Sequence, residues 1–405
     1  RAVRENTREL EAEGSRYSGP EWVVLATELN RRLGSFPSLD GNKVGLQRDY
    51  TESIREMTEV VRSAQKYVHV EFYIMSYDSV TREFFAALKE AAARGVRVRL
   101  LFDHIGTLRV KGYRTLLKEL RGSEIQWRRM LPVLPARGLW RRPDLRNHRK
   151  ILVVDGRVAY TGSQNLVEPS YRKPRNRRMG RKWVELMARL EGPVVDEINV
   201  VFATDWNAET DENLERELSL YEWSSHPGDV TCQVVPSGPG FTTENNLRLF
   251  TSLIYSASDR ISITSPYFVP DDSLLYAITT AAQRGVQVEL FVSERGDQFL
   301  VDHAQRSYYE ALLRAGIRIY LYPKPLVLHA KHFTIDNEVA VLGSSNMDMR
   351  SFSLNLEVSV MMFDGNIVTD MRRIEDTYRA MSRELLLSEW VGRPVWQRYI
   401  DNVCR

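Results

Sequence analysis

The chain has 405 residues, of which 43% are apolar and 27% are charged, and its formal net charge is +3. This composition is typical of a folded α/β protein and excludes a disordered or fibrous chain, and the length favours two domains. Cys232 and Cys404 lie far apart and form no Cys/His cluster. The sequence therefore predicts neither a disulfide framework nor a structural zinc site.

The N-terminal part of the chain carries no membrane signal. No run of about 18 consecutive apolar residues occurs, and no signal peptide is visible. The first residue is Arg1 rather than Met, so we expect that native N-terminal membrane segments are absent from this chain. Residues 1–42 are polar and predicted to be partly helical, and we interpret them as a lead-in segment.

The first predicted structural unit occurs twice. Residues 68–101 read VHVEFYIMSYDSVTREFFAALKEAAARGVRVRLL, and residues 261–291 read ISITSPYFVPDDSLLYAITTAAQRGVQVELF. Both patterns predict an alternating strand, an amphipathic helix and a second alternating strand. Gly95 and Gly285 follow the two helices, where a left-handed backbone conformation favours glycine.

A second repeated unit follows at nearly the same spacing. Residues 147–165 read NHRKILVVDGRVAYTGSQN, and residues 328–346 read LHAKHFTIDNEVAVLGSSN. Both contain the pattern H-x-K-x4-D-x6-G-S-x-N, within a predicted hairpin. Helix alternating with strand predicts an α/β fold, and the duplication predicts a pseudo-dimer within one chain. We place the two domains at residues 43–223 and 224–405, because the segment after residue 223 is rich in turn-forming residues.

The histidine and lysine of each motif lie two residues apart on a predicted strand and therefore point to one face. Two facing copies would bring His148 and Lys150 together with His329 and Lys331. Phosphoryl transfer needs mainly positioning and positive charge, which this set supplies. One neutral histidine can attack phosphorus while the other, protonated, gives a proton to the leaving alkoxide. The lysines can supply the positive charge of a metal ion, so we expect neither a metal nor a cofactor.

The other motif positions have a structural and a catalytic interpretation. Asp155 and Asp336 are candidate catalytic residues, but an aspartate before Gly or Asn is also what a tight hairpin turn favours. Both interpretations stay open. The hydroxyl and amide side chains downstream of each motif are predicted to form hydrogen bonds in the site, with capping as the alternative for the asparagines. They are Ser163, Asn165, Ser344 and Asn346.

We expect a carboxylate to orient each imidazole. Glu357 lies 28 residues after His329, in the strand-like segment LNLEVSVMMF. Glu185, in KWVELMARLEG, holds the matching position in the first copy, nine residues further from His148 because of an insertion at residues 167–182. By this spacing, each glutamate is matched with the histidine of its own copy.

Two segments are rich in basic residues. Residues 172–182 read RKPRNRRMGRK, and for these we favour contact with anionic lipid headgroups over a solvated face. Residues 127–149 combine arginines with leucines and tryptophans, which is compatible with an interfacial segment or with an active-site loop. The remaining histidines have no matched partner, and we interpret them as structural or surface residues: His69, His104, His226, His303 and His332.

The duplicated motifs resemble those of the phospholipase D superfamily. The closer resemblance is to bacterial cardiolipin synthases, and it extends from about residue 45 to the C-terminus. It is carried by the segments GSQNLVEPSY, KWVELMARLEGPVV, VVPSGPG, TSPYFVPDD, AAQRGVQVEL and GSSNMDMRSFSLNLE. The resemblance implies two α-β-α sandwich repeats related by a pseudo-twofold axis, with His148 as the nucleophile and His329 as the general acid.

The resemblance also implies a reaction. One phosphatidylglycerol would lose glycerol as its phosphatidyl group moves to histidine, and the glycerol hydroxyl of a second would then attack to give cardiolipin. The implied partners are anionic phospholipid and the surface of a bacterial cell membrane. The alternatives are a phospholipase D hydrolase, a nuclease or other phosphodiesterase of the same superfamily, and a lipid-binding scaffold without activity. The small net charge argues against nucleic acid, and the intact motifs argue against a scaffold.

Overall fold

A computed structural model describes residues 19–34, 36–134, 139–214, 226–241 and 244–405, with the backbone alone at residues 139 and 140. The elements of the first half of the chain are α1 (Glu21–Arg32), β1 (Leu39–Gln47), α2 (Tyr50–Arg62), β2 (Tyr67–Phe72), α3 (Arg82–Ala93), β3 (Arg97–Asp103), α4 (His104–Leu108), α5 (Tyr113–Arg121), β4 (Gln126–Met130), β5 (Val133–Leu134), β6 (Leu139–Trp140), β7 (Arg146–Asn147), β8 (Lys150–Val154), β9 (Val158–Gly162), α6 (Pro174–Arg178), β10 (Trp183–Val184), β11 (Met187–Glu191) and α7 (Val194–Thr210).

The second half repeats this series with few changes. Its elements are β12 (Val230–Ser237), α8 (Asn245–Ser256), β13 (Arg260–Thr264), β14 (Phe268–Val269), α9 (Asp272–Gln283), β15 (Gln287–Ser293), α10 (Phe299–Arg314), β16 (Arg318–Tyr322), β17 (Val327–Leu328), β18 (His332–Ile335), β19 (Val339–Gly343), β20 (Met347–Asp348), α11 (Met349–Ser353), β21 (Asn355–Phe363), α12 (Ile367–Met381), β22 (Arg383–Leu385), α13 (Leu387–Val391) and α14 (Val395–Cys404).

One continuous mixed sheet runs through both halves, and its strand order shows the duplication. From the centre outward, the first half reads β1-β11-β9-β8-β2-β3-β4, and the second reads β12-β21-β19-β18-β13-β15-β16 followed by the edge strand β22. In both halves the inner strands are antiparallel and the outer three are parallel. β1 and β12 pair in antiparallel orientation and join the halves. The predicted α/β fold of two repeats is confirmed.

Three apolar cores hold the helices against this sheet. In the first half α2, α3 and α5 cover one face, and in the second half α8, α9 and α10 cover the equivalent face. The long helices α7 and α12 pack on the other face, in a core that draws residues from both halves. Each repeat is therefore an α-β-α sandwich, and the shared core ties the two repeats together.

Local sequence signals explain the repeated helix and hairpin. Gly95 and Gly285 follow α3 and α9 with φ of 87° and 97°, as the sequence predicts. Asp155 and Gly156 connect β8 to β9 with φ of 55° and 68°, the conformation of the tight turn that Asp-Gly favours. The Asp155-Gly156 turn fixes the C-terminal end of β8, the strand that carries Lys150 of the first motif.

The N-terminal segment is more closely integrated than a lead-in segment. Val23 and Ala26 of α1 are buried in the core of the second half, and β1 begins at Leu39. The proposed domain boundary at residues 42 and 43 therefore falls inside a strand. The other proposed boundary, at residues 223 and 224, lies outside the described residues. No helix within the described ranges has the length and apolar character needed to span a membrane.

Candidate active site

The two motif histidines lie where short strands of one half pair with the other half. β7, directly before His148, pairs in parallel with β21 and brings Asn147 opposite Leu356. The backbone N–H of His148 then donates to the carbonyl of Leu356, with an N–O distance of 2.8 Å. β17, directly before His329, pairs with β10 in the same way, and the N–H of His329 donates to the carbonyl of Val184 at 2.8 Å.

This pairing exchanges the carboxylates between the halves. Nδ1 of His148 lies 3.0 Å from Oε2 of Glu357, and Nδ1 of His329 lies 2.8 Å from Oε1 of Glu185. The spacing argument, which matched each glutamate with the histidine of its own copy, is therefore wrong. The reason is the register of the bridging strands: Glu357 follows Leu356, which is opposite the residue before His148. Each glutamate carboxylate contacts an imidazole, but across the pseudo-twofold axis.

Glu357 lies in a dense hydrogen-bond network. Its carboxylate accepts from the hydroxyl of Ser344 at 2.5 Å, from the hydroxyl of Ser351 at 2.9 Å and from the amide of Asn355 at 3.2 Å. Burial acts to raise the pKa of Glu357, but the contact with His148, the charge of Lys150 and the hydroxyl of Ser344 outweigh it, and the pKa is lowered. Nδ1 of His148 faces only acceptors, this carboxylate and the Ser344 carbonyl at 3.0 Å, so it carries the proton. Nε2 then keeps its lone pair.

Glu185 has a weaker network. Burial raises the pKa of Glu185 to about 7, against the opposing effects of Lys331 and the hydroxyl of Ser163. Ser163 is itself engaged with the backbone of Leu186, whose N–H donates to the Ser163 hydroxyl at 2.9 Å. The carboxylate partner of His329 is thus less firmly ionised than that of His148.

The two lysines supply positive charge to the same site. Nζ of Lys150 donates to the carbonyl of His148, and Nζ of Lys331 donates to the carbonyl of His329 at 2.6 Å. Burial lowers the pKa of Lys150 to about 7 and that of Lys331 to about 8. Burial also lowers the pKa of both histidines, and the positive charges of the lysines add to this effect. Both imidazoles therefore have pKa values below the ordinary 6.5 and are mainly neutral at pH 7.

The motif aspartates lie away from the histidines. Asp155 accepts hydrogen bonds from the backbone N–H groups of Lys66 at 2.7 Å and Tyr67 at 2.9 Å, at the far end of β8. Asp336 accepts equivalent bonds from Asp259 and Arg260, both at 2.8 Å. β8 has five residues and lies between His148 and Asp155, and β18 has four residues and lies between His329 and Asp336, so the strand alone separates each pair by roughly 13 Å or more. The catalytic interpretation of the aspartates is therefore corrected: they fix the start of β2 and β13.

The two motif asparagines have different environments. The side-chain oxygen of Asn165 accepts from the N–H of Ile74 at 3.1 Å, and its amide donates to the Tyr171 hydroxyl at 2.9 Å. Asn165 therefore braces the segment after β2. Asn346 accepts no such bond: within the described part of the chain, its side-chain oxygen is buried without a hydrogen-bond partner. Its backbone N–H donates to the hydroxyl of Ser351 at 3.1 Å.

Two tyrosines that the sequence argument did not single out lie against the histidines. The ring of Tyr73 meets that of His148 edge to face with centroids 4.9 Å apart, and Tyr267 meets His329 at 6.2 Å. The Tyr267 hydroxyl also donates to Asp297 at 2.8 Å. A weak signal was present, because Tyr73 lies one residue after β2 and Tyr267 lies three residues after β13. No local pattern indicates Ser351 or Asn355 as partners of Glu357.

Some basic residues of the two segments form internal hydrogen bonds, and others line a cavity. Arg172 donates to the carbonyl of Tyr77 at 3.0 Å, so it is used internally. In residues 127–149, Arg129 donates to the Tyr113 hydroxyl at 2.9 Å. Residues 135–138 of that segment lie outside the described residues. By contrast, Lys173, Arg175 and Arg181 line a cavity of about 780 Å³ next to the site.

A site built by two repeats, each supplying a neutral imidazole and an ammonium group, defines the class of enzymes that transfer phosphodiesters through histidine. The family model for "Cardiolipin synthase, PLD-like domain" matches residues 57–206 and 250–377. Cardiolipin synthase A of Pectobacterium carotovorum subsp. carotovorum (strain PC1) is 35% identical over 380 residues, which cover 93% of this chain and 77% of the relative. Cardiolipin synthase A of Proteus mirabilis (strain HI4320) is 35% identical over 386 residues with the same coverages. The chain belongs to the family of phospholipase D-like cardiolipin synthases, which confirms the resemblance.

Solved structures support the fold. Phosphatidylserine synthase of Haemophilus influenzae Rd KW20 matches with a TM-score of 0.73, covering 93% of this chain and 96% of that one. Polyphosphate kinase of Porphyromonas gingivalis matches with a TM-score of 0.54 over 90% of this chain and 53% of that one. The sequence identities are 13% and 12%, so these likenesses concern the fold alone.

Proposed function

We propose that this chain is a cardiolipin synthase that moves a phosphatidyl group from one phosphatidylglycerol to another at an anionic membrane surface, through a covalent phosphohistidine. Membership of the family supports the activity. The single observation that carries the mechanism is the pair of crossed His–Glu contacts, which holds two neutral imidazoles at one site with two buried ammonium groups.

In the first step, Nε2 of His148 attacks phosphorus and the bond from phosphorus to the glycerol oxygen breaks. His148 is the better nucleophile because the pKa of Glu357 is lowered and its ionised carboxylate accepts a hydrogen bond from Nδ1–H of His148. This contact stabilises the positive charge that develops on the ring. The leaving alkoxide takes a proton from His329. The two lysines stabilise the charge on the phosphoryl oxygens.

His329 must be protonated for this role, although burial lowers its pKa. A phosphodiester carries one negative charge, and that charge favours the imidazolium form when the substrate binds. Glu185 contributes a second negative charge at Nδ1 when it is ionised. Substrate binding and general-acid function are thus coupled.

In the second step, a glycerol hydroxyl of another phosphatidylglycerol gives its proton to His329, and its oxygen attacks phosphorus. The bond between phosphorus and His148 breaks, and cardiolipin leaves. Over the two steps one phosphodiester is formed for each one broken, so the overall reaction is close to thermoneutral and needs no nucleotide.

The test uses the purified chain with phosphatidylglycerol in mixed micelles and a metal chelator, followed by mass spectrometry of the lipids. We expect cardiolipin and free glycerol in equal amounts, none of either with His148→Ala, and full activity with His226→Ala, an exposed histidine outside the site. Phosphatidic acid as the sole product would establish a hydrolase instead. No change in the lipid would contradict both.

A further inference from the structure

The C-terminal helix α14 has its polar and apolar faces reversed relative to an ordinary surface helix. Asp401 is only 2% exposed and accepts an Nδ1–H bond from His303 of α10 at 2.7 Å and a bond from Arg393 at 2.8 Å. The outward face carries large apolar side chains within an arc of about 100°. They are Val395, Trp396, Tyr399 and Val403, with Trp396 61% and Tyr399 70% exposed. A helix in water normally buries such a face.

The start of α10 extends this apolar surface. Phe299 and Leu300 are exposed, and the ring of Phe299 meets that of His303 with centroids 4.4 Å apart. Because His303 bonds Asp401, this contact places Phe299 beside α14. These six exposed apolar side chains thus lie on two helices that pack against each other, and we call them the apolar patch.

A basic cavity of about 780 Å³ adjoins the patch, and Phe299 lines both. Seven lysines and arginines but only three carboxylates line the cavity. Within the described ranges, Lys173, Arg175, Arg181 and Arg295 form no ion pair. The cavity thus presents cations that lack an internal acidic partner.

The cavity also borders the catalytic residues. Trp183 lines it and lies two residues before Glu185, the partner of His329. Asp297 lines it as well and accepts from the hydroxyl of Tyr267, whose ring contacts His329. An anionic group in the cavity would therefore lie directly behind the general acid.

We propose that these residues form a docking face for a bilayer of anionic phospholipid. The docking face comprises Val395, Trp396, Tyr399, Val403, Phe299 and Leu300 as the apolar part, and Lys173, Arg175, Arg181 and Arg295 as the basic part. Tryptophan and tyrosine suit the boundary between acyl chains and headgroups, and unpaired cations complement lipid phosphates. The proposal deepens the proposed function and rests on it for the identity of the substrate. The basic part of the docking face lines the cavity beside the catalytic residues.

The first experiment compares Trp396→Ser/Tyr399→Ser with the control Tyr276→Ser/Leu25→Ser, which removes two exposed apolar side chains elsewhere. Binding is measured by cosedimentation with phosphatidylcholine vesicles that contain phosphatidylglycerol. We expect the affinity of the first variant for vesicles to fall to about one tenth or less, and the control to bind like the unaltered chain. Circular dichroism and thermal unfolding check that both variants fold.

The second experiment tests the charge. Lys173→Glu/Arg175→Glu is compared with Arg82→Glu, an exposed arginine of α3. We expect binding to fall roughly fivefold for each cation removed, and to weaken further with salt. Cardiolipin formation from vesicles should fall in parallel in both docking-face variants. The activity of Trp396→Ser/Tyr399→Ser on short-chain phosphatidylglycerol, below its critical micelle concentration, should remain.

Three results would overturn the docking face. The first is unchanged vesicle binding in both docking-face variants. The second is an equal loss of activity on vesicles and on dispersed short-chain lipid. The third is a dimer of the unaltered chain that Trp396→Ser dissociates without any change in vesicle binding, since the occupant would then be a second copy. Vesicle binding through this face without cardiolipin formation would instead sustain the docking face and refute the proposed function.

Discussion

The two halves of the molecule share a strand order but differ in the electrostatics of their His–Glu pairs. The pair of His148 and Glu357 has three further donors on the carboxylate, and the pKa of Glu357 is lowered. In the pair of His329 and Glu185, burial raises the pKa of the carboxyl to about 7. The duplicated scaffold therefore presents two His–Glu pairs that are equivalent in position but not in the charge of the carboxyl group.

This difference explains how a symmetric fold can carry out an asymmetric step. Attack on phosphorus needs an imidazole whose developing positive charge is stabilised, and the His148 pair provides a firmly ionised carboxylate. Proton donation needs an imidazolium that can lose its proton readily, and a weaker anionic partner suits this role. Ser351 and Asn355, which donate hydrogen bonds to Glu357, belong to α11 and the start of β21.

The largest expected effect is the loss of either histidine. His148→Ala should reduce turnover by about 10⁴-fold or more, because no covalent intermediate can form. His329→Ala should reduce it by about 10²- to 10⁴-fold with phosphatidylglycerol. A phosphatidyl ester of a phenol with low pKa needs no general acid, so we expect it to restore the first step in His329→Ala but not in His148→Ala.

The measurement is a single-turnover assay that follows phenol release and the covalently bound lipid by mass spectrometry. The roles are reversed if the activated ester restores His148→Ala and leaves His329→Ala inactive. In that case the difference in carboxylate charge would not determine which histidine attacks.

The next effect separates the two glutamates by pH. Glu357→Gln should cost about 10²- to 10⁴-fold at every pH from 6 to 9, because a carboxyl with a lowered pKa is ionised throughout this range. Glu185 has a pKa of about 7, so below pH 7 the unaltered chain already carries the neutral form that glutamine imitates. The cost of Glu185→Gln should therefore be about tenfold or less at pH 6 and should grow as the pH rises through 7.

Profiles of kcat/KM against pH for the two variants and the unaltered chain provide the check. Parallel profiles for both variants would show that the two carboxyls are equivalent in the working enzyme. The contrast between the halves would then be lost.

A third effect concerns the buried lysines. The pKa of Lys150 is about 7 in the folded chain and has an ordinary value of 10.5 when unfolded. Between these values the unfolded chain binds more protons, so the free energy of unfolding should rise with pH, while activity falls as the ammonium charge is lost. Lys150→Met should lose about 10²-fold in turnover and should unfold at higher urea concentration than the unaltered chain at pH 6.5. This advantage should shrink at pH 10, and urea titrations at the two pH values measure it.

The features that the sequence predicts are those that neighbouring residues determine. Alternation defines β2 and β8, the glycines after α3 and α9 end the helices, and the Asp155-Gly156 pair forms its turn locally. Strand periodicity predicts that His148 and Lys150 share one face, but His148 lies between β7 and β8, where Nζ of Lys150 donates to its carbonyl. The conclusion that two motifs form one site follows from the duplication.

The features that were missed depend on pairing between distant strands. His148 and Glu357 are 209 residues apart, and only the register of β7 on β21 brings them together. The spacing between histidine and glutamate in the sequence is the same whether each glutamate contacts the histidine of its own copy or that of the other copy. Spacing alone therefore cannot reveal the crossed contacts. The position of Asp155 was predictable in principle, since Lys150 is the first residue of the five-residue strand β8 and Asp155 follows its last residue. Its place in the shared pattern with His148 and Lys150 concealed this.

The smallest effect on turnover is expected from the motif aspartates, and it tests the structural features that the two halves share. Asp155 and Asp336 make matching bonds to the backbone before β2 and β13. Asp155→Asn and Asp336→Asn should each destabilise the chain by about 1–3 kcal/mol, because an amide nitrogen cannot accept these bonds. The rate per folded molecule should be unchanged, since neither carboxylate contacts the site. Thermal unfolding and kcat at a temperature well below Tm measure the two quantities, and a large loss of kcat in either variant would return the aspartates to the catalytic set. Equal destabilisation beside unequal glutamate profiles would show that the duplication preserved the scaffold while the two halves of the site diverged.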